Sequence, residues 1–215
     1  MTKLAFYDLD GTLVSSNVVS QYLWYAKRVG IWRVVRALFR APSWMRAEAK
    51  SRLLFNQMFF REYAGLSEHF LRSGAARMTE EVLMPALYPQ ARARLQADRD
   101  AGYELILVTG SLDFAIEDFA AQLGFSEVLA NRMLFRGGMA QGELIPPVLA
   151  EKAKVDAVLA ACARHGADPK LCKAYSDSTS DAPMLEAVGE PCAVNPSKGL
   201  LAIAEAKGWP ILSLK

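Results

Sequence analysis

From Pro85 to the last residue, apolar runs of strand length alternate with amphipathic stretches of helix length, and this alternation narrows the choice of fold more than any other feature. Residues 103–108, Tyr-Glu-Leu-Ile-Leu-Val, are too apolar for a strand with one wet face and read as a central strand. A helix over 90–101 precedes it, with Gly102 as its cap, and a helix over 112–123 closing at Gly124 follows. The pattern then predicts a short strand near Val128 and a hairpin turning at Gly137-Gly138 between 133–135 and 139–143. Beyond it come a helix over 151–164, a strand over 171–175 and a helix over 182–188, then a strand over 191–194, a helix over 199–207 and a last strand over 211–214. Strands separated by helices connect as parallel crossovers. The predicted fold class is therefore α/β, a parallel sheet covered by helices on both faces.

Residues 15–84 behave differently. They carry few strand signals and read as a helical unit inserted after the first strand, with 1–14 and 85–215 making the α/β core. From Lys27 to Arg61 nine basic residues face a single acid, Glu48. Gly30 and Pro42 bracket one predicted helix, with Ile31, Val34, Val35 and Leu38 on one side, Arg33, Arg36 and Arg40 on the other, and Trp32 and Phe39 between them. The apolar side is expected to pack on a helical bundle and the basic side to face solvent. A basic face opposite an apolar one with an aromatic flank is also the pattern of a helix at a membrane interface. Ser43 is the predicted cap of the next helix, which runs past Leu54 and Met58.

The insert follows Ala5-Phe6-Tyr7-Asp8-Leu9-Asp10-Gly11-Thr12-Leu13, in which a short apolar strand delivers two carboxylates spaced i, i+2. Side chains at that spacing share a face, so Asp8 and Asp10 address one small space where the strand ends and Gly11 turns the chain. Two like charges so close need a cation or a shared proton. Composition excludes several alternatives. A net charge of +2 over 215 residues does not describe a nucleic-acid binder. Three cysteines without a Cys-x-x-Cys pair disfavour a disulfide framework or a zinc site and suggest a reducing, cytoplasmic setting. The N-terminus leaves no room for a secretory signal before the first strand, and no apolar run reaches the length of a spanning helix. Neither nucleotide-binding glycine loop is present. His69 and His165 stand apart from every motif and read as surface or packing residues.

Polar groups recur at the ends of strands and the start of one helix: Asp8 with Asp10, Thr109, a lysine that is Lys152 or Lys154, and Asp177 with Asp181. In a parallel sheet these ends lie on one edge, so residues distant in sequence converge on one cleft. Asp8-Leu9-Asp10-Gly11-Thr12, Val108-Thr109-Gly110-Ser111, Lys154 and Asp177-x-x-x-Asp181 resemble the four ordered motifs of the haloacid dehalogenase superfamily of phosphohydrolases. Asp177-Ser178-x-x-Asp181-x-Pro183-x-Leu185, Val194-Asn195-Pro196 and Gly208-Trp209-Pro210 resemble its phosphoserine-phosphatase-like branch. The resemblance covers 4–14 and about 85–215, leaving out the insert.

It implies a Rossmann-like core with a small helical cap, and a Mg²⁺-dependent phosphatase acting through an aspartyl phosphate. On that reading Asp8 is the nucleophile and Asp10 the general acid and base. Thr109, Gly110 and Lys154 bind the phosphoryl group; Asp8, the backbone carbonyl of Asp10 and Asp177 hold Mg²⁺; Asp181 stands behind them. Lys154 is favoured over Lys152 because Val155 follows it, as a small apolar residue usually follows the family's lysine. Ser176 stands where many relatives have glycine. Phosphoserine phosphatases of this branch place a glutamate shortly after the first motif, and Ser15-Ser16-Asn17-Val18-Val19 contains no acid, which argues against phosphoserine. The basic, tryptophan-bearing insert points instead to a phosphate monoester with an apolar remainder, a lipid phosphate, and to peripheral contact with an anionic membrane. Transfer of the phosphoryl group to an acceptor alcohol, or a binding module of the same fold without catalysis, are the competing readings. Oligomeric state is not legible in the sequence.

Overall fold

β1 (Lys3–Tyr7) is buried along all but its first residue and lies at the centre of one sheet, as a strand does when both faces are covered. The computed structural model describes residues 2–215. After β1 the chain forms α1 (Val18–Val29), α2 (Ile31–Glu48), α3 (Arg52–Phe59) and α4 (Glu68–Met78) before any second strand. The core then continues as α5 (Ala91–Asp100), β2 (Tyr103–Leu112), α6 (Asp113–Gln122), β3 (Glu127–Arg136), β4 (Met139–Ile145), α7 (Lys152–His165), β5 (Lys173–Ser176), α8 (Ala182–Glu186), β6 (Glu190–Val194), α9 (Lys198–Lys207) and β7 (Ile211–Leu212). The strands lie in the order β4-β3-β2-β1-β5-β6-β7, all parallel except the β3–β4 pair. The chain thus builds outward on one side of β1 and then on the other. Between β1 and β5 the order reverses, and ligands of open α/β sheets bind at such a point.

Alternate residues of β1 feed the two cores. Ala5 and Tyr7 face the cluster shared with α5, α6 and the inserted helices, whereas Leu4 and Phe6 face the one shared with α7, α8 and α9. Two predicted elements fuse: the short strand near Val128 and the first arm of the hairpin are one strand, β3, whose pairing with β2 shifts register between Val108 and Leu112. β2 likewise does not end at Val108 but runs through Thr109-Gly110-Ser111. No helix among the described residues is long and apolar enough to cross a membrane.

The insert corrects three expectations. Pro42 does not end a helix; α2 passes through it. A proline there leaves the Leu38 carbonyl without its intrahelical donor, and because both residues are exposed water can take that place. Ser43 consequently caps nothing: its hydroxyl donates to the Arg40 carbonyl at 2.6 Å, and Ser51 caps α3 by accepting from the Leu54 amide. The third correction concerns which way α2 faces. Arg33 donates to the carbonyls of Glu62 and Ala64, Arg36 donates to the Glu62 carboxylate, and Arg40 lies 3.0 Å from its other oxygen. Glu62 is fully buried, and a buried carboxylate must find cations. The arginines therefore turn toward the bundle together with Ala37, Trp44 and Ala47, and much of the apolar side is left outside.

The insert also grips the edge of the sheet. The amides of Gly65 and Glu68 donate to the carbonyls of Ala140 and Gly138, and the Ala140 amide donates to Leu66. Gly142 sits so close to the insert that an added Cβ would lie 2.9 Å from the Arg61 Cα.

Candidate active site

β1 ends at Tyr7, so Asp8 and Asp10 lie just beyond it, on a turn in which Thr12, Leu13 and Val14 donate their amides to the Leu9 carbonyl. Gly11 takes a φ of +85°, and a Cβ there would lie 2.2 Å from an oxygen of Asp177. Its missing side chain is what lets the end of β5 approach the end of β1. Thr12 Oγ1 stands between the two acids, 3.2 Å from Asp8 and 3.4 Å from Asp177. Asn195, with φ +46°, ties the turn from behind by donating to the Gly11 carbonyl.

Of the two candidate lysines only Lys154 reaches the site. Its Nζ lies 2.7 Å from Asp8 and 2.7 Å from Asp181. Lys152, two positions earlier on α7, points to solvent and pairs with Asp156. Burial disfavours the charged Lys154 ammonium, but Asp181 and Asp8 outweigh it and hold the group above an ordinary lysine. Asp181 is fixed in turn by the Ser176 hydroxyl, which donates to it at 2.8 Å. The residue that departs from the family's glycine thus acquires a partner.

Asp8, Asp10, Gly110, Lys154, Asp177 and Asp181 line one cavity of about 260 Å³, roofed from the insert by Ser15, Ser16, Asn17, Glu48 and Arg52. Thr109 does not line it. The Thr109 side chain is buried behind Gly110, and its Oγ1 accepts the Ser111 amide at 3.1 Å, because β2 continues through this segment instead of ending before it. Asn131 fixes the wall here, donating to the Gly110 carbonyl and accepting the Leu149 amide.

Several participants lay outside the sequence reading. Gln21 on α1 donates to Ser111 Oγ at 3.0 Å and reaches Asp10 at 3.5 Å, and Ser111 donates to the other Asp10 oxygen at 3.3 Å. Arg52 and Glu48 form an ion pair at the roof, so an acid does reach the cavity wall, although from α2 and not from the stretch after the first motif. Nothing in the sequence singles out Arg52 among its basic neighbours. Gln21 carries no local signal either.

Five carboxylates and two cations line the cavity. Burial first, then the charge of Asp8, pushes Asp10 up to about 7, and the same causes push Asp177 up to about 7. Burial also raises Asp8, against the pull of Lys154. A surplus of oxygen donors without matching protein cations suits a hard divalent ion such as Mg²⁺. Among the described residues no three acidic, histidine or cysteine side chains close on one point. A set of two carboxylates and one backbone carbonyl, completed by water and substrate oxygen, fits that arrangement because Mg²⁺ keeps part of its water shell.

Residues 5–186 match the haloacid dehalogenase-like hydrolase family. A Mycobacterium tuberculosis protein named a probable phosphatase is 33% identical over 150 residues, 70% of this chain and 52% of that protein. The chain therefore spans about half the length of that curated relative. The phosphoserine phosphatase of Halobacterium salinarum is 31% identical over 202 residues, covering 93% of this chain and 89% of that one. A crystal structure of a Bordetella pertussis protein with unknown function superposes with a TM-score of 0.87 at 28% identity over the whole of both chains. The chain belongs to the haloacid dehalogenase-like hydrolases, in their phosphoserine-phosphatase-like branch.

Proposed function

We propose that this member of the haloacid dehalogenase-like hydrolases is a phosphatase that cleaves a phosphate monoester in two steps through an aspartyl phosphate on Asp8. The observation that carries the proposal is Lys154 held between Asp8 and Asp181, with Asp10 and Asp177 on the walls of the same cavity. In the first step a carboxylate oxygen of Asp8 forms a bond to phosphorus as the bond to the leaving oxygen breaks, and Asp10 gives that oxygen a proton. In the second, Asp10 takes a proton from the water that attacks phosphorus and frees Asp8. Both duties need a carboxyl that exists in either protonation state near neutrality, which accords with a value near 7. Gln21 and Ser111 keep its oxygens in place.

Lys154 steadies the charge on Asp8 and on the phosphoryl oxygens. Gly110 lines the wall where the phosphoryl group would sit, and Thr109, expected from the sequence as a phosphoryl ligand, instead braces that wall from outside the cavity by accepting the Ser111 amide. Asp8, the Asp10 carbonyl and Asp177 would hold Mg²⁺, with Asp181 behind them. When bound, the ion neutralises charge on the phosphoryl oxygens. Residues 15–84 serve as the cap of an α/β core formed by 1–14 and 85–215, closing the cavity from bulk water.

The ester's remainder has a matching place. An apolar groove lined by Val18, Val19, Leu23, Trp44 and Phe55 shares Asn17, Glu48 and Arg52 with the cavity, which favours an amphiphilic substrate such as a lipid phosphate. The test is phosphate release from a panel of soluble and lipid phosphate monoesters with Mg²⁺. Asp8→Asn should lower turnover by ~10³-fold or more on every substrate the parent accepts. Undiminished turnover in that variant overturns the mechanism, and equal preference for soluble and lipid esters overturns the substrate class.

A further inference from the structure

The side of α2 turned to solvent is apolar along most of its length. Ile31, Val35, Leu38, Pro42 and Met45 recur at alternating spacings of four and three residues, which keeps them in one stripe, and Trp32 and Phe39 flank it. Trp32 is 80% exposed, Phe39 83% and Met45 70%. A contiguous exposed patch of this kind marks a surface that meets something else. Its orientation is no accident of a loose helix, because Arg33, Arg36 and Arg40 anchor the opposite side on Glu62 and its neighbours.

Charge decides between occupants. Arg36 and Arg40 are turned away from the stripe onto the one Glu62 carboxylate, and the cations left beside it are Arg46 and Lys50, which are exposed and have no ion-pair partner among the described residues. The acid of α2, Glu48, belongs to the cavity wall and is engaged by Arg52. A second copy of the chain docked about a two-fold axis would set this basic rim against itself. An anionic lipid surface complements it, and tryptophan and phenylalanine beside an apolar stripe are suited to the headgroup boundary. Met45 also lines the apolar groove that reaches Asn17, Glu48 and Arg52 at the cavity. The lipid-facing side and the place for an apolar substituent are therefore contiguous.

We propose that the outer face of α2 seats this protein on an anionic lipid bilayer, with the helix lying in the plane of the interface. Binding does not depend on the phosphatase reading, since Asp8→Asn leaves this face untouched and should bind like the parent. The experiment is co-sedimentation of the full chain with phosphatidylcholine vesicles, with and without phosphatidylglycerol, alongside tryptophan emission. Binding should require phosphatidylglycerol, weaken with salt, and shift emission to the blue as Trp32 leaves water. The variant W32S/F39S should bind at least ~tenfold more weakly while keeping its melting temperature and its turnover of a soluble ester. R46E/K50E should weaken binding to anionic vesicles through charge alone. No binding to anionic vesicles, equal binding to neutral ones, or undiminished binding by W32S/F39S overturns the proposal. So does a dimer in sedimentation velocity that dissociates in W32S/F39S, which would make a second copy the occupant.

Discussion

At the carboxyl edge of the sheet, Asp8 and Asp181 share one lysine while Asp10 and Asp177 lie beside them without a cation of their own. Under α2 the ratio is reversed, with two arginines sharing Glu62. Both regions bury ionised groups, yet the first is left short of positive charge and the second is supplied with it. The shortage concentrates raised carboxyls where a divalent ion and a phosphoryl group can be received. The surplus fixes the orientation of a helix and leaves cations at its rim. Buried charge does chemical work where it is unmatched and architectural work where it is matched.

The contrast can be broken most sharply at its two hubs. Lys154→Met should cut kcat by ~10²-fold or more, because two buried carboxylates are then left facing each other and the phosphoryl group loses a cation. An unaltered kcat would mean that the lysine is only structural. Glu62→Ala, by contrast, should leave kcat on a soluble ester nearly unchanged but cost about 1–3 kcal/mol in urea unfolding, since the hydrogen bonds of the buried carboxylate are lost while its half-exposed arginine partners stay hydrated. A small loss would show that hydrophobic packing alone orients α2.

The metal-free protein offers a finer test. Asp10 and Asp177 each hold a proton up to about pH 7 in the folded chain and release it near pH 4 in the unfolded one. The folded state therefore binds more protons across that window, so stability falls as pH rises through it and levels off above it. Thermal melting in a chelator should show this decline, and Mg²⁺ should stabilise the protein far more at about pH 8 than at about pH 5. The same melts on Lys152→Ala should move by less than about 0.5 kcal/mol, since its pairing with Asp156 is exposed to water.

How much of this was legible in the sequence follows from the same physics. Strand order is constrained by parallel crossovers, so the convergence of Asp8, Asp10, Lys154, Asp177 and Asp181 followed from the pattern of elements. The apolar run stops at Val108 and so puts Thr109 at a strand end, whereas a shift in β-pairing lets β2 run on and buries it. The orientation of α2 was not legible. An amphipathic helix can bury either side, and here the choice is made by a carboxylate 26 residues from Arg36 whose burial no local pattern announces. Gln21 and Arg52 act through positions set by that same packing.

The grip of residues 65–68 on β4 has a consequence for engineering. Those backbone groups occupy the free rim of the outermost strand, which would otherwise offer a template for another chain. A shortened protein built by excising the inserted helices would bare that rim, and aggregation would be its first failure, before any question of lost turnover arose.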